Sequence, residues 1–145
     1  PCIVRWPQRV KSGVSEALVS QIDWFASLAS LIGIQLPDSV APDSRNQIEA
    51  WLGKDLRGRD YVIEQSLNNN LSVISADGWK YIQPNDGPAI EQYTKMELGN
   101  NPQPQLYNMM KDPGETENLA KTYPAILEQM QKIIADEQQK TVIVK

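Results

Sequence analysis

The chain has 145 residues, 41% of them hydrophobic, with a net charge of −4 and no histidine. Length and hydropathy allow one domain, or a subdomain plus part of its neighbour, around a modest core. The absent histidine excludes a Ser–His–Asp triad, a Cys–His pair and imidazole metal ligands, and the acidic balance argues against a nucleic-acid partner.

Cys2 is the single cysteine, so a disulfide framework and a cysteine-rich metal site are both excluded within the chain. No apolar run approaches the roughly 20 residues that span a bilayer, so no membrane partner is expected. The densest basic stretch, residues 54–59, carries Asp55 and reads as a solvated loop. The chain opens on Pro1, in mid-pattern. It reads as the C-terminal portion of a longer protein, with any targeting signal upstream.

In chain order, residues 2–6 (C-I-V-R-W) form a β-branched, aromatic run stopped by Pro7, which predicts a strand with Cys2 as a small buried hydrophobe. Residues 10–13 read as a turn and 17–20 as a short extended piece. Asp23 is expected to cap a helix running to Ile32, since Phe25, Leu28, Ala29 and Ile32 fall at helical spacing and Gly33 follows. A start at Ser15 is the alternative. Residues 36–46, with Pro37 and Pro42, are loop chemistry and a boundary. A short helix over 47–52 ends at Gly53.

Residues 60–66 (D-Y-V-I-E-Q-S) predict a strand, followed by an asparagine turn. Residues 71–75 and 79–83 predict a hairpin around Asp77-Gly78. Residues 84–104 read as an ordered surface loop with a helical turn near 93–98, and 105–109 as the last core strand. Asp112-Pro113-Gly114 predicts a tight turn in which Gly114 takes the positive φ of a type II turn, and Thr116 caps a short helical segment after it. The last helix is the clearest. Pro124 stands at its first position, and Ile126, Leu127, Met130, Ile133 and Ile134 share one stripe. Residues 141–144 read as a frayed end or an edge strand. The four tryptophans sit within or beside elements, as core residues do.

These elements imply an α+β fold. A small antiparallel β-sheet of three to four strands is covered by the C-terminal helix and preceded by a strand and a helix. Residues 1–36, 37–59 and 60–145 are the expected divisions: the end of a larger α/β domain, a connecting segment and a C-terminal subdomain.

Several strings resemble one family. Residues 105–120 (Q-L-Y-N-M-M-K-D-P-G-E-T-E-N-L-A) are similar to the closing segment of sulfatases of the arylsulfatase type, within the alkaline phosphatase superfamily. Residues 1–7 (P-C-I-V-R-W-P), Val19-Ser20-Gln21-Ile22-Asp23 with Leu28-Ala29 and Gly33, Trp51-Leu52-Gly53, and Asp77-Gly78-Trp79-Lys80-Tyr81-Ile82 resemble earlier family segments in the same order. Ser27 stands where threonine is usual, and the hairpin glycine is displaced by one place.

The resemblance implies a sulfuric ester hydrolase acting on sugars or glycosaminoglycan fragments, secreted or periplasmic. It also implies a formylglycine nucleophile and a bound Ca²⁺, both in an N-terminal catalytic domain upstream. Cys2 does not fit the family's [CS]-x-P-x-R motif, because Val4 and Trp6 occupy the Pro and Arg places. The piece alone is expected to be inactive and structural, with no catalytic or metal-binding residue of its own. Its expected partners are its own catalytic domain and a sulfated carbohydrate, and excised it should tend to self-associate. Glu64, Gln65 and Ser66 stand where relatives carry a His-His-Ser, and with Asn68 and Asn69 they form a polar cluster able to bond sugar hydroxyls. Two alternatives stay open: a stand-alone α+β carbohydrate-binding or interaction module, and the tail of a phospho- or phosphonate-ester hydrolase.

Overall fold

The structure, a computed structural model, describes residues 2–37, 39–66, 69–96 and 98–141. The chain divides into two compact units, Pro1–Val62 and Ile63–Lys145.

In the first unit, residues 2–6 form no strand; a turn at Trp6 comes next, where Arg9 N and Val10 N both donate to Trp6 O, at 3.1 and 2.9 Å. Cys2 and Ile3 are exposed, so the β-branched run finds no sheet partner within this unit. Leu18 makes a parallel bridge to Gly58, whose φ of 70° suits glycine; a Cβ there would stand 2.3 Å from Leu18 O.

Helix α1 spans Asp23–Leu31 and α2 spans Ile48–Trp51; the two helices pack together. Trp24 stacks on Trp51 with centroids 4.2 Å apart. The later helix start is the observed one, but its N-cap is Ile22, and Asp23 is the first helical residue. The Asp23 carboxylate has a different task. It is fully buried and accepts from Arg59 Nε at 2.7 Å, from Arg59 Nη2 and from Arg45 N at 2.9 Å. Arg59 is therefore buried in an ion pair and is not part of a solvated basic loop. A fork of donors matched to a carboxylate is what permits a charge at that depth. Burial pushes the Asp23 carboxyl up, but the Arg59 and Arg45 hydrogen bonds outweigh it and hold the group below the usual carboxylate range.

The C-terminus of α1 matches expectation. Gly33, at φ 78°, donates to Ser30 O at 3.1 Å and Ile34 N reaches Ala29 O at 2.9 Å, a Schellman closure. The orientation of the helix does not. Its buried residues are Asp23 and Ser27, while Ile22, Phe25, Leu28 and Ile32 are exposed. Within this unit the helix packs through Asp23 and Ser27 beside the Trp24–Trp51 stack. Ser27 Oγ accepts from Gln47 N at 2.8 Å, and Ser44 Oγ accepts from Ala26 N at 3.0 Å.

The sheet has four strands in the order β1-β2-β3-β4: Tyr61–Gln65, Leu71–Ser75, Trp79–Ile82 and Gln105–Asn108. The boundary between units falls within β1. Val73 pairs with Tyr81 and Tyr81 with Leu106, antiparallel, so these residues share one face. Helix α3, Pro124–Thr141, covers that face with Met130 and Ile134. Val73, Leu106 and Ile134 are among the most deeply buried side chains of the chain. Thr141 continues the helix; residues 142–144 lie outside the described residues.

The β2–β3 turn uses Gly78 at φ 80°, with Gly78 N on Ser75 O at 2.9 Å. A Cβ at Gly78 would stand 2.3 Å from Met110 Cγ, so the exposed Met110 side chain would have to move aside. Among the described residues near 93–98 the expected helical turn is a single one, placed slightly earlier, in which Lys95 N donates to Glu91 O at 3.1 Å. Leu98 N returns to Ala89 O and Glu91 N to Met96 O, both at 2.8 Å, closing the loop as a narrow hairpin.

The turn after β4 also differs from expectation. Glu115 N reaches Asp112 O at 3.2 Å, but the positive φ, 53°, falls on Glu115 and not on Gly114. No helical segment follows before α3 for Thr116 to cap; the Asp112 carboxylate instead accepts from Thr116 N, Thr116 Oγ1 and Glu117 N at 2.7, 3.0 and 2.9 Å. Those bonds, the Glu117 amide foremost, hold it below the usual carboxylate range. Asn118 then fastens the tail to β4. Its Oδ1 accepts from Leu106 N and Ala120 N, and its Nδ2 donates to Pro104 O, while Leu119 N bonds Leu106 O at 2.7 Å.

Candidate functional site

In the second unit the sheet face opposite α3 carries Ser72, Ile82 and Gln105 in one row and Ile74, Lys80 and Tyr107 in the next, as the strand register dictates. Over this face lies an open cleft of about 340 Å³. Ser72, Lys80 and Ile82 rise from the sheet, Leu98 and Gly99 come from the long loop, and Pro113 and Glu115 come from the turn after β4. The loop is tied down by a buried glutamine: Gln105 Nε2 donates to Gly99 O at 2.8 Å, and Tyr107 Oη donates to Gln105 Oε1 at 2.9 Å.

Lys80 Nζ lies 2.6 Å from Glu115 Oε1, with side chains 17% and 27% exposed. The positive φ of Glu115 turns its carboxylate toward the sheet at a backbone cost of about 1 kcal/mol or more. The pair leaves the cleft without net charge, between apolar surfaces from Ile82, Leu98 and Pro113.

The polar cluster expected from the sequence sits at the β1–β2 connection. Glu64 and Gln65 are exposed at the end of β1, and Asn68 lies outside the described residues. Gln65 Nε2 donates to Asn69 Oδ1 at 2.8 Å, and Asn69 holds φ 60°, which asparagine tolerates. Ser66 N bonds Asn70 O at 2.8 Å, and Ser66 and Asn70 reach the cleft lining. Lys80 and Glu115 were missed by sequence reasoning as site residues, although both stand in the strings that carried the resemblance. The available signal was a lysine placed among the apolar residues of a central strand.

Among the described residues, no group of three or more His, Cys, Asp or Glu side chains could hold a metal ion. No helix of the described residues is long and apolar enough to cross a membrane.

No family model matches the chain. An N-acetylgalactosamine-6-O-sulfatase of Bacteroides thetaiotaomicron is 48% identical over 134 residues, which is 92% of this chain and 26% of that protein. The homologues of this chain are sulfatases. It corresponds to their C-terminal part. An ulvan-active sulfatase of Formosa agariphila is 27% identical over 158 aligned positions, covering 91% of this chain and 31% of that protein. The chain thus spans about a quarter to a third of the length of the curated relatives it matches. A solved structure connected with the metabolism of multiple glycosaminoglycans by Bacteroides thetaiotaomicron superposes with TM-score 0.88 at 47% identity, covering 94% of this chain and 28% of its own. A protein solved with its substrate D-glucosamine-2-N,6-O-disulfate shares the fold, with TM-score 0.63 at 16% identity over 94% of this chain and 27% of its own.

Proposed function

We propose that this chain is the non-catalytic C-terminal part of a sulfatase that hydrolyses sulfate esters of sugars, with 6-O-sulfated N-acetylgalactosamine of glycosaminoglycans as the leading substrate. The observation that carries this reading is the 48% identity to an N-acetylgalactosamine-6-O-sulfatase across 92% of the chain. Ca²⁺ and a formylglycine nucleophile belong, on this reading, to the part of the protein that the relatives have and this chain does not span. A secreted or periplasmic location goes with that assignment. The polypeptide's own catalytic domain is the first partner and a sulfated carbohydrate the second.

Two observations favour this over a stand-alone binding module. Most of each relative's length lies outside the aligned region, and helix α1 presents Ile22, Phe25, Leu28 and Ile32 to solvent. A stripe of that size on a helix packed through Asp23 and Ser27 suits a surface that another part of the protein covers. Glu64, Gln65, Ser66, Asn68 and Asn69 are proposed to border the substrate, bonding sugar hydroxyls.

The reading is tested with the full-length protein and a panel of sulfated sugars beside 4-nitrophenyl phosphate. Sulfate release with preference for 6-O-sulfated N-acetylgalactosamine is expected. Phosphate release without sulfate release would overturn it in favour of a phosphoester hydrolase.

A further inference from the structure

Resting on the sulfatase reading, we propose that the cleft over β2 and β3 is a saccharide subsite that holds one unsulfated pyranose ring of a longer substrate, with Lys80 and Glu115 as its polar anchors. A pyranose offers two C–H faces and a rim of hydroxyls. The cleft offers the complement: apolar surface from Ile82, Leu98 and Pro113, and polar groups on Ser72, Lys80 and Glu115. Its volume of about 340 Å³ stands at the lower end of the roughly 300–1,000 Å³ of small-molecule sites, the size for a single ring and not a chain.

The ion pair decides which ring. An ammonium carries three donors and an ionised carboxylate accepts at both oxygens, so the contact at 2.6 Å leaves hydrogen-bonding capacity on both partners for adjacent hydroxyls. Because the charges of Lys80 and Glu115 cancel, the cleft has no net attraction for sulfate, and Glu115 repels a sulfated edge. The ring it takes is therefore one that carries no sulfate.

Glu115 supplies the independent observation. Gly114 stands one residue earlier and would take a positive φ without steric cost, yet the strained conformation falls on Glu115 and turns its carboxylate to Lys80. Backbone strain of that kind clusters where a side chain must be aimed.

The test uses the full-length enzyme, wild type and with Glu115→Gln or Ser72→Phe. The first keeps the shape and removes the charged acceptor, whereas the second fills the cleft from β2 and keeps the ion pair. Kinetics are measured on a 6-O-sulfated disaccharide and on the matching sulfated monosaccharide, with Tm recorded for each variant. We expect the disaccharide KM to rise about tenfold in both variants with kcat within about twofold, and monosaccharide kinetics to stay at the wild-type level. Unchanged disaccharide KM in Glu115→Gln, the near-isosteric variant, overturns the proposal. So does a full-length structure in which a side chain from the rest of the polypeptide fills the cleft. If the wild type releases no sulfate, the sulfatase reading fails separately. Calorimetric titration with the desulfated disaccharide then decides the cleft alone: binding that Ser72→Phe abolishes supports the subsite, and no binding by the wild type overturns it.

Discussion

Arg59 reaches across 36 positions of sequence to place its guanidinium on the buried Asp23 carboxylate, and its Nη2 also donates to Asp43 O at 2.6 Å. That one side chain ties the start of α1 to the loop before α2 and to the approach to β1. Removing it leaves a carboxylate buried without its counter-charge. Arg59→Met should lower stability by about 3–5 kcal/mol, and Arg59→Lys should recover only part, because an ammonium cannot match both oxygens. Chemical denaturation of the variants checks both values.

The same pair gives an acid limb. The folded-state pKa of Asp23 lies below its ordinary value, so its contribution is complete above the unfolded value of about 3.9 and is lost as pH falls through the lowered folded value. Stability measured from pH 6 to pH 2 should fall on the acid side, and Asp23→Asn should flatten that fall while lowering stability at neutral pH. An equally steep acid limb in Asp23→Asn would show that other carboxylates set it.

The second unit should fail at the sheet–helix contact. Val73, Leu106 and Ile134 are 0–1% exposed. Leu106→Ala or Ile134→Ala should each cost about 2–5 kcal/mol through lost burial and the cavity left behind. Asn118→Ala should cost about 1–3 kcal/mol, because it strips the side-chain acceptor from Leu106 N beside the buried core. Unfolding by denaturant ranks these variants.

Much of this fold is legible in the sequence, because strands β1 and β2 and helix α3 bury one side more deeply than the other. Strands read from alternation at 60–66 and 71–83 end within a residue or two of the observed ones, and the stripe on α3 places Met130 and Ile134 in the core. Sequence reasoning fails where a residue's partner is distant. Asp23 has the chemistry of a helix cap, but Arg59 claims it. Residues 2–6 have the composition of a strand without a partner in their unit. The stripe of Phe25, Leu28 and Ile32 gives the right helix and the wrong face, because periodicity locates an apolar side without saying whether this unit covers it. The cleft was illegible for a related reason. It needs strand register, a loop closure and a non-glycine positive φ at once, and no local pattern encodes their convergence.

That exposed stripe predicts behaviour for the isolated chain. Expressed alone, the 145 residues should self-associate through α1. Phe25→Ser together with Leu28→Ser should shift sedimentation toward the monomer, since neither side chain is buried in its own unit. An unchanged distribution would place the association elsewhere.

The most direct test compares sulfate release from 6-O-sulfated N-acetylgalactosamine by the full-length protein and by the 145-residue chain alone. The account predicts turnover by the first and none above background by the second. Sulfate release by the isolated chain, or none by the full-length protein, would contradict it.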